Sequence, residues 1–144
     1  MNEAELEKIK IKALEEHIPI IMDDTLNVVG NLLGKIKPNA ILEIGTAVGY
    51  SAICFSKYLL DGGIIDTIER DHDRVEEAKK NIKLVDIADK INIIEGDAVE
   101  ILPTINKKYD AIFIDAAKGK YPFFLSEALR LINTNGYIIA DNVL

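Results

Sequence analysis

Residues 40–51, AILEIGTAVGYS, carry a short apolar run into a turn containing Gly45 and Gly49, and that turn into the amphipathic stretch SAICFSKYL. A run of this length, rich in branched residues and followed at once by a helical pattern, reads as a buried strand feeding a helix. The unit recurs. Further strands are predicted near 64–69, 91–95, 110–115 and 136–140, with helices between them near 50–60, 72–85, 98–105 and 121–132. Strands alternating with amphipathic helices make a parallel sheet covered on both faces, the doubly wound α/β class. Asp71 is a credible N-cap for the helix containing Arg74 to Leu84, and Asn135-Gly136 is a turn signal before the fifth strand.

Upstream of this alternation, residues 1–37 form a helical segment of the same single domain, 1–144. Glu3 to Glu16 is charged and helix-favouring, and Asp23 to Lys37 places Leu26, Val29, Leu32, Leu33 and Ile36 at the spacing of one buried stripe. Pro19 in HIPIIM interrupts the helix between them. Composition fits an ordinary globular chain: 144 residues, 49% hydrophobic and 28% charged, with no linker, repeat or low-complexity tract. A net charge of −7 argues against broad adhesion to nucleic acid or anionic membrane, though not against a local basic patch. No apolar run approaches a membrane span and MNEAELEKIK lacks the apolar stretch of a signal peptide, so a cytoplasmic protein that does not enter membranes is expected. The single cysteine, Cys54, excludes an internal disulfide framework and reads as packing rather than catalysis.

Each predicted strand ends at or beside an acid: Glu43, Glu69, Asp97, Asp115 and Asp141. Ligands of open parallel sheets bind outside the carboxyl ends of the strands, so these side chains are expected to line one crevice. The turn Gly45-Thr46-Ala47-Val48-Gly49 allows close approach of a ligand, but its G-x-x-x-G spacing lacks the middle glycine of the dinucleotide fingerprint. A nucleoside with a carboxylate tail fits better than a pyrophosphate. Glu69, 20 positions after Gly49, is placed to accept from ribose hydroxyls, and Asp97-Ala98 to hold an adenine edge. Asp115, Asp141 and Asn142 offer oxygen-only ligation suited to Mg²⁺, and Lys118 lies three residues beyond Asp115 as a candidate base. Taken singly, Asp115 reads better as a helix cap and Lys118 as a solvated loop lysine.

Five motifs together, ILEIGTAVGYSA, IDTIERD, IEGDA, FIDAAKGKY and IIADNVL, resemble the cation-dependent, S-adenosylmethionine-using O-methyltransferases of the catechol and caffeoyl-CoA type. The resemblance runs from about Glu16 to Leu144. FIDAAKGKY, with EEHIPIIM ahead of the first strand, is most similar to the bacterial branch acting on 5-hydroxyuridine in tRNA; plant caffeoyl-CoA enzymes usually carry an acid where this chain has Ala117.

The resemblance implies that Glu43, Gly45, Thr46 and Ser51 hold the methionine part of the cofactor, Glu69 the ribose, and Asp97 with Ala98 the adenine. Asp115 would border the cofactor and, with Asp141 and Asn142, bind Mg²⁺; Lys118 would be the general base; Ile18 to Met22 would cover the pocket. The acceptor would be tRNA or a small hydroxylated aromatic. The family continues past DNVL into two more strands, so a Rossmann-like sheet of order 3-2-1-4-5 without them is expected, its fifth strand inviting self-association or a homodimer. A nicotinamide-dependent oxidoreductase and a non-catalytic binding module are the competing classes.

Overall fold

A computed structural model describes residues 2–115 and 120–141. Two helices, α1 (Glu3–Glu15) and α2 (Asp23–Ile36), precede the alternation β1 (Ala40–Ile44), α3 (Tyr50–Ser56), β2 (Ile64–Glu69), α4 (His72–Leu84), β3 (Ile91–Glu95) and α5 (Ala98–Ile101). A 3₁₀ turn over Leu102–Thr104 leads into β4 (Tyr109–Asp115), followed by α6 (Tyr121–Leu131) and β5 (Ile132–Asp141). All five strands pair in parallel in the order β3-β2-β1-β4-β5, as the motif order implied.

Alternation along the strands divides the core. Ile41 of β1, Ile65 of β2 and Phe113 of β4 face a cluster with Val29, Leu33, Ile53, Phe55 and Ile82 from α2, α3 and α4. Leu42, Ile44, Ile68, Ile112 and Ile114 face the other side, against Leu102 and the α6 residues Phe124, Ala128 and Leu131. The inner strands therefore have cover on both faces, β1 at the centre being buried at every position, whereas β3 and β5 at the edges are partly exposed.

Local chemistry sets the ends of the elements. Asn2 caps α1 by accepting from the Ala4 and Glu5 amides, and Asp71 caps α4 through Asp73 and Arg74, as anticipated. Lys37 closes α2 in the left-handed conformation at φ 47°, its N–H reaching the Leu33 carbonyl. The helix expected near 98–105 is cut short because Pro103 supplies no N–H, leaving one turn and the 3₁₀ segment. The helix expected to run to residue 60 stops at Ser56.

Asn135-Gly136 differs from expectation more instructively. The pairing steps from Tyr109–Ile132 to Ala111–Tyr137, so the dipeptide lies inside β5 as a bulge, with Asn135 at φ 67°. A turn-forming dipeptide cannot reveal whether the chain reverses or merely swells there.

At the opposite rim from the acids, Asp110 holds the sheet's lower edge. One carboxylate oxygen accepts from the Asn39 and Ala40 backbone amides at 2.8 and 3.1 Å, and the other accepts from the side-chain Nδ2 of Asn133, in the bulge, at 3.0 Å. Partial burial opposes ionisation, but these hydrogen bonds outweigh it and hold the carboxyl below its ordinary range. A depressed carboxyl stabilises the fold above its unfolded-state pKa and loses that contribution as pH falls through the folded one. Asp110→Ala is expected to lower the unfolding free energy by about 1–3 kcal/mol near neutral pH. Urea melts at two pH values should show the penalty shrinking in acid.

Candidate active site

The carboxyl ends of β1, β2, β3 and β4 open onto one crevice, and the first wall of it is the loop after β1. Gly45 and Gly49 sit at φ 102° and 88°, which a side chain would strain. The amides of Gly45 and Thr46 both donate to the Ile68 carbonyl, at 2.9 and 3.1 Å, folding the loop across the end of β2. A Cβ at Gly49 would come within 3.4 Å of the Ala78 methyl, so the loop also packs against α4.

Glu69 ends β2 and is pinned by backbone alone. Its Oε1 accepts from the Ala47 amide at 2.8 Å, and its Oε2 accepts from the Arg70 and Asp71 amides, both at 3.1 Å. A carboxylate has about four acceptor positions, so roughly one is left for a ligand. The Ala47 amide is thereby committed to Glu69 rather than offered to an anion, a detail hidden from the sequence.

Two hollows meet at this rim. The larger, about 170 Å³, is floored by Ile44, Ile68, Ala98 and Phe124 and edged by Glu69, Arg70, Asp97, Asp115 and Lys120. The smaller, about 20 Å³, lies between Thr46, Ala47, Tyr50 and Ser51 on one side and Pro19, Ile20 and Ile21 on the other. Gly45 and Asp115 line both. A Cβ at Gly45 would stand 3.4 Å from the Asp115 Cβ, so any side chain there would crowd the residue that borders both hollows. A roomier groove of about 380 Å³ flanks β3, edged by Lys79 and Lys83, but it lies on the outer side of the sheet. Size alone would select it; the strand-end rule selects the crevice.

Of the anticipated residues, Gly45, Glu69, Asp97, Ala98 and Asp115 line the larger hollow, and Thr46 and Ser51 join Gly45 and Asp115 at the smaller. Asp97 also caps α5 by accepting from the Val99 amide at 2.9 Å. Asp141 is the register partner of Asp115 on the adjacent strand. Lys118 and Asn142 lie outside the described residues. The stretch Pro19–Ile21 closes the smaller hollow from the N-terminal side, as the Ile18 to Met22 expectation had it.

Glu43 is where sequence and structure part. It is fully buried and lines neither hollow; it sits beneath the loop, accepting from Ser51 Oγ on one oxygen and from Thr67 Oγ1, at 2.7 Å, on the other. Of its two partners, Ser51 reaches the smaller hollow and Thr67 lies in the layer beneath. Arg70, Lys120 and Phe124 were not anticipated, nor was Thr67. Arg70 had a visible signal, its place beside Glu69 at a strand end, whereas a threonine inside a strand carries none.

Burial pushes the Glu43 carboxyl up to about 7; the hydrogen bonds from Ser51 and Thr67 pull the other way, and the negative charges of Asp115 and Glu69 add to the rise. A raised folded-state pKa means that the native state holds a proton the unfolded chain has released, so stability falls as pH rises across the interval. Between about pH 4.5 and 7 the loss from this one group is on the order of 3 kcal/mol. Glu43→Gln cannot ionise. Its unfolding free energy relative to the unsubstituted chain is expected to climb through that interval, and a difference independent of pH would show that Glu43 titrates normally.

Similarity to known proteins agrees with this geometry. A family model described as O-methyltransferase matches residues 3–144. The catechol O-methyltransferase of Niastella koreensis is 38% identical over 108 residues, covering 72% of this chain and 49% of that protein. The caffeoyl-CoA O-methyltransferase of Stellaria longipes is 29% identical over 143 residues, covering 92% of this chain and 59% of that protein. Among solved structures, an O-methyltransferase from Bacillus cereus in complex with SAH superposes with a TM-score of 0.89 at 28% identity, over 99% of this chain and 67% of that one. The chain spans about half the length of the first curated relatives it matches. With its sheet order, its strand-end crevice and a family model matching nearly every residue, the chain belongs to the O-methyltransferase family.

Proposed function

We propose that the protein is an O-methyltransferase that takes S-adenosylmethionine as methyl donor and a divalent cation such as Mg²⁺. The observation that carries this reading is the pair of hollows joined at Gly45 and Asp115, one broad and apolar-floored, the other small and polar. A nucleoside joined to a short charged tail through a central sulfur has that outline. Glu69 accepts from a ribose hydroxyl, Asp97 and Ala98 flank the adenine, and Gly45, Thr46 and Ser51 border the methionine part, with Glu43 acting from beneath. The SAH-bound relative supports this reading of the crevice.

For the cation, Asp115 and Asp141 are paired in register at the ends of adjacent parallel strands, so their side chains project from the same face. Two carboxylates suit a hard ion, and among the described residues no third Asp, Glu, His or Cys joins them. Asn142 is the proposed third protein ligand. Asp115, Asp141 and Asn142 would hold such an ion, which would make an acceptor hydroxyl more acidic. Lys118 would take that hydroxyl's proton, and Asp115, common to both hollows, stands where donor and acceptor would meet.

The acceptor proposed first is 5-hydroxyuridine in tRNA, on the strength of FIDAAKGKY and EEHIPIIM. The relatives named as catechol O-methyltransferases favour a second reading, a small catechol-like acceptor. Methyl transfer to undermethylated tRNA and to a catechol panel, with and without Mg²⁺, separates the two. We propose further that β5, the outermost strand among the described residues, with Tyr137 45% exposed, mediates self-association, which light scattering would register. No helix among the described residues is long and apolar enough to cross a membrane.

Glu69→Ala is expected to weaken cofactor binding by about 1.5–3 kcal/mol, the value of a hydrogen bond to a charged group. Unchanged affinity in titration calorimetry would place the ribose elsewhere. Asp115→Ala and Asp141→Ala are expected to abolish cation-dependent transfer, the latter with cofactor affinity retained. Full turnover of the unsubstituted protein in excess chelator would remove the cation from the reaction.

A further inference from the structure

Beneath the loop that separates the two hollows runs a buried chain of hydroxyl and carboxylate groups. Thr67, on β2, is fully buried and lines neither hollow, yet it touches two of the residues beneath and beside the smaller one. Its Oγ1 donates to Glu43 Oε1 at 2.7 Å and lies 2.6 Å from Thr46 Oγ1. A hydroxyl carries one proton. With the Thr67 proton directed at Glu43, the contact with Thr46 must run from the Thr46 hydroxyl to Thr67. Ser51 Oγ donates to the other Glu43 oxygen. Two hydroxyl protons thus meet on one carboxylate, a third hydroxyl is tied to it through Thr67, and the two outer hydroxyls, on Thr46 and Ser51, belong to residues lining the smaller hollow.

We propose that Thr67 is a positioning residue for the amino-acid end of the bound donor, acting through Glu43 and Thr46 without touching the ligand. This rests on the reading of S-adenosylmethionine as cofactor with its methionine part over the glycine loop. Removing the Thr67 hydroxyl deprives a buried carboxylate of one of the two hydroxyls that donate to it and leaves the Thr46 hydroxyl without its acceptor. Both would then turn toward whatever partner is near, and the groups beneath the smaller hollow would lose their fixed directions. The larger hollow has backbone supports that do not run through the Thr67 hydroxyl: Glu69 is pinned by the amides of Ala47, Arg70 and Asp71, and Asp97 by the Val99 amide. Loss of Thr67 therefore falls on one end of the ligand.

Thr67→Val keeps the shape and removes the hydroxyl; Thr67→Ser keeps the hydroxyl. Each is titrated calorimetrically with S-adenosylhomocysteine and with 5′-methylthioadenosine, which has the nucleoside and sulfur but no amino acid. The expected result for Thr67→Val is a loss of S-adenosylhomocysteine affinity on the order of tenfold. Its 5′-methylthioadenosine affinity should stay within about twofold, and Thr67→Ser should restore most of the first loss. Equal losses for both ligands, no loss for either, or a serine variant as weak as the valine one would overturn the proposal. Thermal melts confirm that each variant is folded; if Thr67→Val is not, Thr67→Cys, with its weaker donor, carries the same two-ligand comparison and is judged by the same outcomes. An unsubstituted chain that binds neither ligand would instead overturn the cofactor reading on which the proposal stands.

Discussion

In a parallel sheet every strand must point the same way, so the five places where the chain leaves the sheet fall along one rim. Register makes this concrete: Ile44 pairs with both Ile68 and Ile114, Glu69 with Glu95, and Asp115 with Asp141. Residues far apart in sequence become neighbours because the backbone hydrogen bonding leaves them no other position. The β1 loop is then bent over the end of β2 by two amides on the Ile68 carbonyl, and the crevice follows from that bend. Helices cover both faces of the sheet, so the strand ends along the rim are where a ligand can reach the chain.

Acidic residues in this chain divide by what surrounds them rather than by type. Asp66, in the middle of β2, accepts from Tyr109, Lys107 and Asn92 and is a structural group with its partners in place. Asp110 ties the opposite rim. Glu43 is buried and shifted toward neutrality by desolvation. Glu69 and Asp115 stand at the edge of a hollow, and Glu69 is held there by amides that fix its direction. A rim of carboxylates with Arg70 and Lys120 beside it is a place where charge on a ligand can be met from either sign.

Much of this was legible in the residues themselves. The alternation of branched runs with amphipathic stretches is a direct trace of two-sided burial, so the sheet class, the strand order implied by the motifs, and the row of strand-end acids could all be read. The cap at Asp71 was legible because an aspartate before a helical pattern has few other uses. The bulge at Asn135-Gly136 was not, since a left-handed asparagine serves turns and bulges alike. Thr67 was invisible for a related reason: threonine is a normal strand residue, and only the three-dimensional approach of β1 to β2 turns its hydroxyl into a link between Glu43 and Thr46. The depth of Glu43 was also hidden, because a strand-end acid in sequence can face the crevice or lie one layer beneath it.

The central claim is that the rim is built to hold a nucleoside through Glu69 and an amino-acid tail across the Gly45 loop. Titration calorimetry of the unsubstituted chain with S-adenosylhomocysteine addresses it most directly, with NADH as the competing cofactor class. One saturable site for S-adenosylhomocysteine and no saturable heat for NADH is the predicted result. A folded chain that gave no saturable heat with S-adenosylhomocysteine, or that bound NADH in its place, would contradict the claim.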